Sequence, residues 1–166
     1  NPTFNPSHNE GFITLTTHNY KADQLNEKAF NEIKAQEFYY EAEIKDDFPE
    51  YLYPLEKKLS LKVGAQVMFV KNDLDTPKRY YNGKIGEVIF LSEEEIHVRL
   101  ADEDTVIEVG KYIWENIRYK NDPNTDQITQ EVLGTFVQYP LRLAWAITVH
   151  KSQGLTFDKA IIDLEM

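Results

Sequence analysis

Between Pro140 and Asp158 the chain gathers its most chemically useful side chains: Thr148, His150, Lys151, Ser152 and Gln153, closed by Gly154. An ammonium flanked by short hydroxyls suits a phosphodiester backbone. Lysine supplies charge without base preference, and the hydroxyls donate to phosphate oxygens. The alanines and leucine of Leu143–Gln153 predict a helix, with Gly154 where a helix commonly ends in a left-handed residue. On that helix Thr148, Lys151 and Ser152 form a polar stripe at i, i+3 and i+4, while Leu143, Ala146, Ile147 and His150 share another side. Trp145, one turn earlier, could stack on a base for about 1–3 kcal/mol. The same spacing also describes a partly buried helix whose polar residues face solvent and whose Trp145 is core.

Other chemistries have less support. His150 and Ser152 make no convincing nucleophile pair, because no Gly-x-Ser-x-Gly elbow occurs and no third member is evident. The other histidines, His8, His18 and His97, are scattered without ligand spacing,. The chain has no cysteine, which excludes a thiolate metal site and a disulfide framework,. Neither a catalytic residue nor a resident metal is expected.

These residues need a scaffold, and 166 residues suffice for one ordinary domain or two small ones,. The formal net charge of -10 argues against an isolated nucleic-acid-binding domain,. Charge is local, however, since screening confines surface fields to about 8–10 Å. Acids cluster at Glu41–Glu50, Glu93–Glu95 and Asp102–Asp104, whereas Tyr139–Phe157 holds Arg142 and Lys151 and no acid. No apolar run approaches the roughly 18 residues of a membrane span, and no signal-peptide pattern opens the chain. An intracellular protein without a membrane partner is expected.

Phe12–Thr17 is β-branched and reads as a strand. Asn19 suits a helix N-cap. Ala22, Leu25, Ala29, Phe30 and Ile33 then predict an amphipathic helix over about Tyr20–Gln36. Strand, polar turn and helix make half of a βαβ unit, and ligands usually sit at the carboxyl end of such a strand; Thr17 and Asn19 also suit simple capping. Phe38–Leu59 reads as an extended crossing. Strands follow at Val63–Lys71, Ile85–Leu91, Ile96–Leu100 and Thr105–Val109. Asn82-Gly83 is a favoured two-residue hairpin pair. Short strands at this spacing predict a small closed β-barrel of the SH3-like kind over about Leu59–Tyr119. Asn121–Asp126 reads as a boundary loop, and Val132–Tyr139 as another strand. The order implies a barrel inserted into an α/β module.

At Ala144–Gly154 the chain closely resembles motif V of superfamily 1B DNA helicases of the PIF and RecD-like kind. Leu15–Asn26 is similar to the family's motif IV region. Leu61–Met68 and Asn82–Gly86 resemble the opening strand and hairpin of the SH3-like barrel inserted in its second RecA-like domain. The resemblance covers nearly all the chain from Phe12 on and is weakest over Phe38–Leu59. It implies an α/β fold, an incomplete RecA-like domain interrupted by the barrel, divided as 1–45, 46–122 and 123–166. It further implies that Thr148, His150, Lys151 and Ser152 line the path of single-stranded DNA, with Thr17 and Asn19 on the DNA-facing edge. Gln153, Gly154 and Thr156 would lie near the ATP site and couple hydrolysis to grip. Local charge, more than any motif, adds Lys84 or Arg79 of the barrel as a further DNA contact.

The departures matter equally. No Gly-x-x-x-x-Gly-Lys-[Ser/Thr] phosphate loop occurs,, nor does the family's acidic magnesium motif or its downstream arginine motif. Phosphoryl transfer needs phosphate cradle, metal and arginine together. The expectation is therefore a fragment of an ATP-dependent 5′–3′ helicase, cytoplasmic, nucleoid or nuclear, and inactive alone. ATP, magnesium and the first RecA-like domain would belong to the full-length enzyme, and none of them to this fragment. The alternative is a non-enzymatic protein-interaction module built around the barrel.

Overall fold

The computed structural model describes residues 11–101, 103–155, 157 and 160–163. In chain order they form β1 (Ile13–Thr16), α1 (Asn19–Glu32), β2 (Phe38–Glu41), β3 (Glu43–Asp46), a 3-10 turn (Glu50–Leu52), β4 (Lys58–Leu61), β5 (Gln66–Phe69), β6 (Ile85–Leu91) and β7 (Ile96–Leu100). Then come β8 (Val106–Glu108), β9 (Tyr112–Asn121), β10 (Ile128–Gln138), β11 (Leu141–Leu143), β12 (Ala146–Thr148) and β13 (Ala160–Asp163). They make two compact units. One combines the chain up to Phe38, Ser60–Val109 and the chain from Leu141 onward; the other combines Tyr39–Leu59 with Gly110–Pro140.

In the first unit β1 lies between β12 and β13, and all three strands run parallel. Parallel neighbours require long crossovers, and one of them holds everything from α1 to β11. The expected strand–helix pair is present. Ala22, Ala29 and Phe30 are the buried residues of α1, as its spacing predicts. The N-cap differs from expectation: His18 occupies it in an extended conformation without a side-chain cap, and Asn19 is the first helical residue. The His18 carbonyl accepts from the Lys21 and Ala22 N–H groups at 3.2 Å each, so the helix begins one residue early.

The second sheet of this unit is antiparallel, in the order β11-β5-β6-β7-β8. On β7, alternation sends Ile96, Val98 and Leu100 into the core and turns His97 and Arg99 outward,. The closed barrel expected from strand spacing is absent among the described residues; β11 and β8 remain edges of an open sheet. Asn82-Gly83 does form a turn, with Lys84 N–H donating to the Tyr81 carbonyl at 2.9 Å and Gly83 at φ +103°. It is no two-residue hairpin, because the chain between β5 and β6 is a long loop that the turn only completes. Ile13, Met68, Ile85, Ala144 and Ile147 form a shared core under both sheets.

In the second unit β10 pairs with β3 on one side and β9 on the other. Phe48, Tyr53, Trp114 and Phe136 pack ring against ring at its centre. Asn121–Asp126 is not a boundary but the turn of the β9–β10 hairpin, with Asp122 N–H donating to the Gln127 carbonyl at 2.9 Å. The predicted crossing over Phe38–Leu59 contains β2, β3 and the start of β4, and β2 and β4 pair with each other.

Candidate nucleic-acid interface

The segment predicted as a helix from Leu143 to Gln153 is instead two short strands and a turn. Ala146–Thr148 aligns with Thr14–Thr16 of β1, and Val149 N–H extends the ladder to the Thr16 carbonyl at 2.8 Å. The β-branched run Ile147-Thr148-Val149 suits this pleat, and the ladder outweighs the local helical preference of the alanines.

β12 is an edge strand, and its outer groups at Trp145 and Ala146 are satisfied by one side chain. Asn26 of α1 accepts from the Trp145 and Ala146 N–H groups at 2.9 and 2.8 Å. Its amide donates back to the Ala146 carbonyl at 2.9 Å. The side-chain amide thus stands in for a neighbouring strand. Gln66 fixes the approach to β12, donating to the Phe12 and Ala144 carbonyls at 2.6 and 2.8 Å. Neither residue was singled out by the sequence reading. A poor helix former in mid-helix, as Asn26 is, was the available signal.

Past Thr148 the chain winds into a tight turn. The buried Thr148 Oγ1 accepts from Lys151 N–H at 3.2 Å, and its carbonyl accepts from Ser152 N–H at 3.0 Å. Ser152 Oγ donates to the Val149 carbonyl at 2.6 Å. Gly154 takes φ +79°, a conformation that favours glycine,. His150, Lys151, Gln153 and Gly154 are exposed as a result, and Ser152 is half-buried. Thr148 acts as the turn's internal brace, and it is not an exposed contact.

Because β1 and β12 are adjacent and parallel, their carboxyl ends leave the same sheet edge. The structure therefore brings exposed Thr17 and Asn19 together with the His150–Gly154 turn on that edge. His18 and Tyr20 stack there at 5.3 Å between ring centroids. Asp163, level with Thr16 on β13, pairs with Lys21 at 2.7 Å. Lys84 is not on this edge; it closes the β5–β6 loop and pairs with Glu103 at 3.1 Å. Arg79 is engaged by Asp73 at 2.6 Å. Thr156 lies outside the described residues. Trp145 is buried, so it serves the core and offers no face to a base.

Thr16 is fully buried and its Oγ1 has no hydrogen-bond partner among the described residues. A buried hydroxyl without a partner costs more than an isosteric apolar group. Thr16→Val should therefore leave stability unchanged or raise it by up to about 1 kcal/mol. A thermal melt checks this, and a clear loss of stability would mean that the hydroxyl has a partner. No helix among the described residues is long and apolar enough to cross a membrane.

No family model matches the chain. It is similar to the ATP-dependent DNA helicase Pif1 of Campylobacter jejuni, at 25% identity over 94% of this chain and 37% of that protein. It is also similar to human ATP-dependent DNA helicase PIF1, at 34% identity over 90% of this chain and 23% of that one. Among solved structures, unliganded Pif1 from a Bacteroides species matches with a TM-score of 0.84 and 41% identity, over 94% of this chain and 35% of that chain. A Bacteroides Pif1 bound to single-stranded DNA matches with a TM-score of 0.72 and 41% identity, over 91% of this chain and 34% of that one. The chain spans about a quarter to a third of the length of these relatives.

Proposed function

We infer the role of this edge from its family: the chain belongs to the Pif1-like superfamily 1B helicases, and it corresponds to part of their length. The proposed function is a share in the grip on single-stranded DNA by the second RecA-like domain of an ATP-dependent 5′–3′ DNA helicase. One observation carries this reading. Two segments that resemble the family's motifs IV and V, far apart along the chain, meet at one carboxyl edge of a parallel sheet,.

The residues take distinct roles. Lys151 supplies the charge for a phosphate. Thr17, Asn19 and the turn's exposed N–H groups supply neutral donors, His150 and Ser152 flank the path, and Thr148 braces the turn from inside. Gln153, Gly154 and Thr156 would pass the nucleotide state to the grip. The first RecA-like domain would bring the phosphate loop and the magnesium ligands, so this chain alone is proposed not to hydrolyse ATP. The five-stranded sheet is proposed as the counterpart of the family's inserted SH3-like module, with Lys84 on its rim a secondary DNA contact. The interaction-module alternative has no such convergence in its favour.

Lys151→Ala in the complete helicase should weaken binding to single strands of every sequence alike. It should also reduce the slope of log affinity against log salt by about 0.7, the release of one counterion from single-stranded DNA. Fluorescence anisotropy over a salt series measures both. An unchanged slope would remove Lys151 from the backbone path.

A further inference from the structure

We propose that the outer face of the β7–β8 hairpin binds one divalent transition-metal ion of the zinc, cobalt or nickel kind, through Glu95, His97 and Glu108. One donor atom from each residue lies within 4.8 Å of the other two. The sequence spacing of the histidines gives no metal pattern, because one ligand comes from across the ladder.

The backbone sets this arrangement. His97 and Glu108 are register partners. Val109 N–H donates to the Ile96 carbonyl and Leu100 N–H to the Thr105 carbonyl, so ladder bonds fall on the even residues of β7. The His97–Glu108 pair is therefore a non-hydrogen-bonded one, where facing side chains approach most closely. Glu95 precedes His97 by two and lies on the same face. Its backbone is fixed on both sides: its N–H donates to Ser92 Oγ at 3.1 Å, and its carbonyl accepts from Ser92 N–H at 3.0 Å. On the β6 side the Phe90 ring packs against the imidazole at 4.9 Å.

The imidazole has an atom in need of a ligand. His97 Nε2 has almost no accessible surface and no hydrogen-bond partner among the described residues, and its nearest acid, Glu95 Oε2, stands 3.6 Å away. A divalent ion between these atoms would satisfy the nitrogen and neutralise both carboxylates. Donors around a tetrahedral ion sit roughly 3.3–3.5 Å apart. Rotation of the two exposed glutamates closes that gap without backbone movement.

Imidazole with two carboxylates suits zinc, cobalt or nickel. Magnesium prefers an all-oxygen shell and keeps its water, so the site is distinct from any nucleotide-bound magnesium. Its consequence would be structural. β8 is a three-residue edge strand, and the ion would staple it to β7.

The test is zinc chloride titrated calorimetrically into the metal-stripped chain, with thermal melts alongside. One equivalent should bind, raise Tm and resist excess magnesium. His97→Ala and Glu108→Gln should each weaken binding at least about tenfold. A Glu93→Gln/Glu94→Gln variant, which removes two neighbouring acids outside the triad, should bind as the parent does. Glu108→Gln keeps shape at an exposed position, and circular dichroism of the metal-free variants verifies the fold. Absence of binding, binding that survives both ligand substitutions, or binding lost with Glu93 and Glu94 overturns the proposal.

Discussion

Asn26→Ala should destabilise the first unit by about 3 kcal/mol, at about 1 kcal/mol for each of three hydrogen bonds lost. Asn26 is the whole outer pairing of β12 at Trp145 and Ala146. Alanine cannot replace it, and Trp145 and Ala146 are themselves buried. The better helix propensity of alanine returns only a few tenths of a kcal/mol at this position. Urea denaturation measures the loss, and a change below about 0.5 kcal/mol would show that solvent satisfies the strand as well as the amide does.

The same substitution separates positioning from contact. Asn26 bonds β12 at Ala146, two residues before Thr148, which braces the turn that presents Lys151. Asn26→Ala should lower both stability and single-strand affinity, whereas Lys151→Ala should lower affinity and leave stability within about 0.5 kcal/mol. The salt slope distinguishes them further. Losing a brace reduces the fraction of molecules with an ordered turn and keeps the number of phosphates neutralised, so the slope for Asn26→Ala should match the parent.

This division tracks what the sequence could disclose. β6 and β7 were legible to the residue, because a half-buried antiparallel strand writes its alternation directly into Ile96-His-Val-Arg-Leu100,. β12 was not legible. Three residues among alanines and leucines read as helix, and only the parallel ladder to β1 and the Asn26 clasp decide otherwise,. β9 was missed for a related reason: charged Glu115, Arg118 and Lys120 interrupt its pattern on a strand that is mostly solvent-facing. The useful side chains of the candidate site were visible as types. Their sorting into brace (Thr148), core (Trp145) and exposed charge (Lys151) required the turn itself. The placement of Thr17 and Lys151 at the carboxyl ends of neighbouring strands depends on a crossover that no spacing rule encodes.

Asp73→Asn should cost about 2–3 kcal/mol, which reflects the loss of charge-assisted bonds discounted for the partial exposure of Arg79. The Asp73 side chain is 3% exposed, and that of Arg79 is 40% exposed. Asp73 accepts from Arg79 Nε at 2.6 Å, Arg79 Nη2 at 3.1 Å, Arg79 N–H at 2.9 Å and Asp75 N–H at 3.1 Å. One carboxylate thus ties Asp75 and Arg79 together within the β5–β6 loop, and Tyr80 stacks on Phe69 at 3.8 Å. Hydrogen bonds from the Arg79 side chain are the largest influence holding the Asp73 carboxyl well below the usual carboxylate range, against an opposing effect of burial. A carboxyl depressed in the folded state adds stability that is fully present above its unfolded value, about 3.9. That stability is lost as pH falls from there through the folded value. The Tm difference between parent and Asp73→Asn should therefore be constant from pH 5 to 8 and narrow only as the solution becomes more acidic than about pH 4. A difference that narrows near neutrality would place the controlling titration on another group, and a variant as stable as the parent would mean that the loop is held by Tyr80 and its turn alone.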